Sequence, residues 1–233
     1  MELLWFLRRR LEFINKLYDQ TTISFQEIVR KINAGEEPFV DTRDPEYHDV
    51  SEPMFLDEYQ EAGESIEVIG HWCLCMVYAS FKAYLGEFIT AMSNDYRGGF
   101  EDLRRRLAAK KANSWFERYR QLFLEDLGID WHKGPVKLSE MEHLNLARDD
   151  VTHNVDVMST YVYQTERHAE RYPKGLFVDE VWTNLNLGGR IRVGRDELTA
   201  GLRMVDAFCA WLEDIRIRYP AYIKTTEATD KES

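Results

Sequence analysis

The run Arg148-Asp149-Asp150-Val151-Thr152-His153-Asn154 puts a fixed cation, carboxylates and an imidazole within two turns of a helix predicted over 139–154. Each type has a defined use beside a phosphate. Arginine stays charged and offers paired donors to phosphate oxygens. Histidine accepts or gives a proton near neutral pH. Asp149 lies four residues before His153, on the same helix face, where its carboxylate can fix the imidazole tautomer and raise its pKa. Together they match the needs of metal-independent RNA cleavage. That reaction needs a base for the 2′-hydroxyl, an acid for the leaving 5′-oxygen, and positive charge on the strained phosphate.

Spacing alone does not select this run. A chain with this many arginines and 6 histidines contains about one Arg-to-His match of such spacing by chance. Arg43-Asp44-Pro45-Glu46-Tyr47-His48 fits as well, even to the Asp after the Arg, but it lies in a proline-bearing acidic segment where nothing holds its ends in register. Only the Arg148–His153 match sits on a capped helix among apolar anchors. Positions five apart on an ideal helix are about 140° apart around the axis. Arg148 and His153 converge only if the arginine sweeps round, if the helix loosens at its end, or if a second copy supplies the missing partner.

Other chemistry is thinner. Glu140-Met141-Glu142-His143 contains one Glu-x-x-His spacing of the kind that two-iron bundles use twice; His71 follows Val68 and His168 follows Thr165 at that offset, so no second half exists. The 3 cysteines, Cys73, Cys75 and Cys209, form neither a disulfide framework nor a zinc set and read as buried thiols. No metal or cofactor is expected.

The elements that would position the run are helical. Leu3, Leu7, Leu11, Ile14 and Leu17 repeat near the helical period over 2–20. Ser24 and Glu27 read as a capping box for a separate short helix ending before Gly35. An acidic loop with Pro38, Pro45 and Pro53 follows. A long stripe from Ile66 to Met92 predicts a central helix over about 55–92. A basic helix is expected near 100–111. Ser114 with Glu117 caps the next helix, which Gly128 stops, and Ser139 with Glu142 is expected to cap the helix that carries Arg148. Alternation at Val181, Thr183, Leu185 and Leu187, then Gly188-Gly189 before Ile191 and Val193, predicts a hairpin over 180–194. A last helix is expected over 196–218 and a polar disordered tail over 223–233. The expected fold is mainly all-α, a helical bundle with a small β-hairpin near the C-terminus, forming one domain over 1–222.

Composition sets limits on partners. The 233 residues carry 30 basic and 41 acidic side chains, a formal charge of −11, so the chain should not coat nucleic acid non-specifically. RNA binding would need a local basic patch. Arg8-Arg9-Arg10, Arg104-Arg105-Arg106 with Lys110-Lys111, and Arg190, Arg192 and Arg195 offer themselves, although each reads first as a solvated face. No window reaches roughly 18 consecutive apolar residues and no signal-peptide order is present, so a cytoplasmic protein without a membrane partner is expected.

Arg148 to His153, with Asp149 directly after the Arg, resembles the R-x4-6-H motif of the HEPN (higher eukaryotes and prokaryotes nucleotide-binding) family. Trp115 to Tyr119, Leu127 to Trp131 and Leu138 to Asn154 are similar in pattern to that family's penultimate helix, loop and motif helix. The resemblance covers roughly 60–155 in pattern and only the motif region in residue identity. It implies an endoribonuclease acting on RNA with Arg148, His153 and Asp149 as catalytic residues, in a site shared across a homodimer. It also implies a toxin or phage-defence effector restrained by an inhibitory protein partner or by induction. The alternative is a non-catalytic dimeric binding or scaffold protein of the same fold.

Overall fold

The computed structural model describes residues 2–42, 54–96, 102–112, 114–154, 159–172, 174–179 and 189–219. The helices are α1 (Leu3–Ala34), α2 (Leu56–Asp95), α3 (Leu103–Ala109), α4 (Trp115–Leu127), α5 (Leu138–His153), α6 (Glu166–Arg171) and α7 (Arg195–Ile217). A 3-10 turn covers Trp131–Lys133, and three short strands are β1 (Val162–Tyr163), β2 (Val178–Asp179) and β3 (Arg190–Ile191). The protein is mainly α with a small antiparallel sheet near its C-terminal end, as the apolar periodicity predicts.

α1 departs from the expected pair of helices by running unbroken through Ser24. Thr21 and Thr22 turn their hydroxyls back onto the carbonyls of Leu17 (2.6 Å) and Tyr18 (2.8 Å), so these poor helix formers satisfy themselves inside the helix. Its stop is Gly35, at φ 60°, with Gly35 N–H donating to Ile32 O and Glu36 N–H to Lys31 O. That is the two-bond pattern by which a left-handed glycine closes a helix. α4 follows its sequence signals: the Ser114 hydroxyl accepts from Glu117 N–H at 3.1 Å, and Gly128 at φ 65° ends it. α5 starts one residue before the expected Ser139 cap, with the Glu140 and Met141 amides donating to Lys137 O.

The chain divides into two compact units, and α1, α2, α5 and α7 each contribute to both. The first comprises Met1–Glu12, Met76–Leu146 and Ala200–Ser233. Its core is aromatic: Phe88 stacks on Phe123 at 5.3 Å, Phe123 meets Trp131 edge-on at 5.2 Å, and Trp131 meets Phe208 at 5.2 Å. The second comprises Phe13–Cys75 and Ala147–Thr199. Here Tyr18, Leu74, Val162, Phe177, Ile191 and Leu198 are buried. Gly70 lets α2 pass the backbone before α7, since a Cβ there would lie 1.9 Å from Val193 O.

The sheet order is β1-β3-β2. Ile191 lies opposite both Val162 and Val178, and Arg190 opposite Tyr163 and Asp179. The antiparallel pairing of β2 with β3 agrees with the expected small β-hairpin near the C-terminus, while its register differs from that of a turn at Gly188-Gly189. A turn at Gly188-Gly189 would set Leu187 opposite Arg190, whereas Arg190 faces Asp179; the connection 180–188 lies outside the described residues, as do Arg43–His48 and 223–233. Gly189 serves another purpose: a Cβ there would lie 2.4 Å from the Gln164 side chain. Strand β1 had no alternating signal because it is two residues long.

Among the described residues α2 is long and apolar enough to cross a membrane by length and composition, yet 56% of its most apolar window is buried within the fold. A core helix passes the same test.

Candidate functional site

The Arg148 motif occupies the C-terminal half of α5, in the second unit. The helix stays regular to its end: Thr152 Oγ1 donates to Arg148 O at 3.0 Å, and Asn154 N–H donates to Asp150 O at 2.9 Å. The loosening that could have brought Arg148 and His153 together is therefore absent from the described backbone. Asp149 sits between them around the axis, about 100° from Arg148 and about 40° from His153. Arg148 Nη1 donates to Asp149 Oδ1 at 2.8 Å, which draws the guanidinium round toward the side that carries His153. His153 is exposed at the helix end and has no hydrogen bond or ion pair among the described residues. Arg148 and Asp149 are thus brought together, while the imidazole stands near them in angle without touching either.

The carboxylate that does hold a histidine is the next one. Asp150 is 2% exposed and His168, on α6, is 0% exposed; Asp150 Oδ2 pairs with His168 Nδ1 in a short hydrogen bond. Asp150 Oδ1 accepts from Thr165 N–H at 3.2 Å and from Asn154 Nδ2 at 3.4 Å, and Asn154 Nδ2 also donates to Tyr163 O at 3.3 Å. One buried carboxylate therefore ties the end of α5 to β1 and to the start of α6. The apolar periodicity pointed elsewhere, to Met141, Leu144 and Ala147. A signal was present nonetheless: His143, Leu146 and Asp150 recur at i, i+3, i+7 and are all buried, a second inward stripe disguised by polar residue types.

Beside α5 lies a cavity of about 480 Å³, lined by Val68, His71, Trp72 and Cys75 of α2, Val151 and Thr152 of α5, and Ser159 to Val162. His71 Nε2 donates to Ile191 O at 3.0 Å, and burial pushes the imidazole pKa below its ordinary value. Burial pushes the Cys75 thiol up, and the nearby positive charge of Arg148 partly reverses this. Cys73 and Cys209 are buried as expected; Cys75 is only half-buried, because it faces this cavity.

The basic runs are matched locally by acids. Arg8 pairs with Asp206 (2.7 Å), Arg105 with Asp102 (2.8 Å), Arg106 with Asp126 (3.1 Å), Arg192 with Asp179 (3.5 Å) and Arg195 with Asp19 (2.9 Å), and Arg190 is paired with Glu67. Arg8, Arg105, Arg192 and Arg195 are largely solvated, as expected of a surface face, whereas Arg190 is held inward against the buried Glu67. Among the described residues no three His, Cys, Asp or Glu side chains gather as a metal site; Glu140 is exposed while His143, three residues on, is buried. No protein-family model, curated protein or solved structure matches the chain.

Proposed function

We propose that the protein is a HEPN-type endoribonuclease that cuts RNA without a metal ion, using Arg148 of one copy and His153 of a second in a shared homodimer cleft. The observation that carries this reading is the arrangement on a regular α5: a guanidinium held by Asp149 on the side of the helix that ends in an exposed His153. Neutral His153 takes the proton of the ribose 2′-hydroxyl, O2′ attacks the adjacent phosphorus, and the bond to O5′ breaks as that oxygen receives a proton. The products carry a 2′,3′-cyclic phosphate and a 5′-hydroxyl. Arg148 neutralises the charge that grows on the phosphate oxygens. Asp149 orients the guanidinium and, four residues before His153, can also orient the imidazole. Such an enzyme acts in the cytoplasm as a toxin or phage-defence effector, restrained by an inhibitory partner or by induction.

A second reading, a non-catalytic dimeric scaffold, is favoured by the acidic balance and by the local pairing of the basic runs. The two are separated by incubating the protein, refolded from denaturant to strip any inhibitor, with mixed RNA in EDTA. Cyclic-phosphate fragments that vanish in both Arg148→Ala and His153→Ala support the enzyme. Activity regained by mixing those two variants supports the composite cleft, because one site of the mixed dimer is intact. Wild type that yields no fragments overturns the enzyme in favour of the scaffold.

A further inference from the structure

We propose that the cavity between α2 and the end of α5 is a nucleobase site, which holds one unpaired base of a nucleotide whose phosphate lies toward Arg148. This rests on the reading of Arg148 as a phosphate ligand and adds the residues that would receive the base.

The volume, about 480 Å³, lies within the roughly 300–1,000 Å³ typical of small-molecule pockets. Its lining has the composition such pockets share, mostly apolar with few polar groups. Val68, Val151 and Tyr161 form apolar wall. The Arg190 guanidinium lies 3.6 Å from the Tyr161 ring centroid and braces that side. Trp72 lines the same cavity yet is 68% exposed, the most exposed tryptophan among the described residues. A large indole left uncovered at a cavity mouth is a stacking platform, and every base offers it a π-face.

His71 supplies the polar contact. It is 4% exposed and lines the cavity. Its Nε2 must carry the proton, since it donates to the carbonyl of Ile191. A neutral ring then leaves Nδ1 with a lone pair, and Nδ1 has no hydrogen-bond partner among the described residues. An open acceptor on a residue that lines a cavity is matched by a ligand that brings an N–H. Bases do so through an exocyclic amine or a ring N–H, whereas an aliphatic or fatty ligand does not. The direction of the phosphate follows from the course of α5, which carries Arg148 about one turn before the cavity wall. Thr152, on that wall, is four residues beyond Arg148 on the same helix.

The ligand could be a free mononucleotide or one residue of a strand, and binding in EDTA separates them. The probes are the four ribonucleoside 3′-monophosphates and a single-stranded 2′-O-methyl RNA hexamer, which cannot be cut. Trp72→Ala, a change at an exposed position, should weaken at least one mononucleotide or the hexamer roughly tenfold or more, while Trp72→Phe, which keeps a ring, stays within about threefold. Methylating the base N–H that faces Nδ1 should weaken binding at least about fivefold, because the Nδ1 acceptor loses its donor. Tighter binding of the hexamer than of any monophosphate identifies a strand as the ligand; equal binding identifies a free nucleotide. If no probe binds, or binding ignores Trp72, the inference is overturned. RNA cleavage that persists unchanged in Trp72→Ala would sink the base site and leave the nuclease standing. Trp72-dependent nucleotide binding by a protein that never cuts RNA would do the reverse.

Discussion

Replacing Asp150 with asparagine tests how the motif helix is held. The side chain is 2% exposed, faces a fully buried His168, and takes a further bond from Thr165 N–H. Asparagine keeps the shape and one acceptor, so the Thr165 amide can remain satisfied. An uncharged amide then faces His168 Nδ1 where a carboxylate stood, and the charge-assisted bond across the pair is lost. Breaking a buried pair by removing one partner costs about 3–5 kcal/mol, and the retained amide bond places Asp150→Asn at the lower end, near 3 kcal/mol. Asp150→Ala also strips the Thr165 amide of its acceptor, which adds about 1–3 kcal/mol. For a chain of this size each kcal/mol shifts the melting temperature by about 2–4 °C. Asp150→Asn should therefore melt about 6–12 °C below wild type by circular dichroism, and Asp150→Ala lower still. The control is Asp149→Asn, which removes a half-exposed pair with Arg148 and should cost about 0–1 kcal/mol. An Asp150→Asn protein that melts within about 2 °C of wild type, or a control that falls equally far, would refute the claim that one buried carboxylate anchors the end of α5.

Further outcomes follow from single features. Gly70→Ala should destabilise by about 1–3 kcal/mol or more in urea titration, because its Cβ meets Val193 O, while Gly63→Ala, with open space in the same helix, should stabilise by about 0.4–1 kcal/mol. Equal effects at the two positions would remove the close approach as the reason for Gly70. A thiol reagent at pH 8 should modify Cys75 first, since burial pushes Cys73 up to about 11 and holds Cys209 well above its ordinary value. Arg148→Ala should slow the Cys75 reaction by removing the charge that lowers its pKa; faster labelling of Cys209 in the folded protein would contradict the packing. His71, with a folded pKa below the ordinary 6.5, binds its proton more readily when unfolded. Its contribution is complete above about pH 6.5 and is lost as pH falls from there toward the lowered folded value. His71→Gln should flatten the stability profile in that window, and an unchanged slope would show that other groups set it.

Much of the helical frame could be read from the chain. Apolar repeats located α2, α4, α5 and α7 to within a few residues, and Ser114, Gly128 and Gly35 stop or start helices by local backbone chemistry that needs no tertiary partner. Ser24 and Ser139 show the limit of such signals: the same capping pattern lies inside a helix when the neighbouring turns stay helical through their own bonds. The arginine motif was legible as residue types at a spacing on a helix, and α5 is regular through that spacing.

What required the folded chain was every pairing between residues distant in sequence. Local propensity carries no term for a two-residue strand, so β1 and the 178-to-191 register came only from the partners across the sheet. Polar types in an inward stripe look like surface until burial is known, which is why the Asp150–His168 pair stayed hidden behind the adjacent Asp149. The cavity beside Trp72 is likewise a property of α2 and α5 lying together, since no run of neighbouring residues encodes an empty volume.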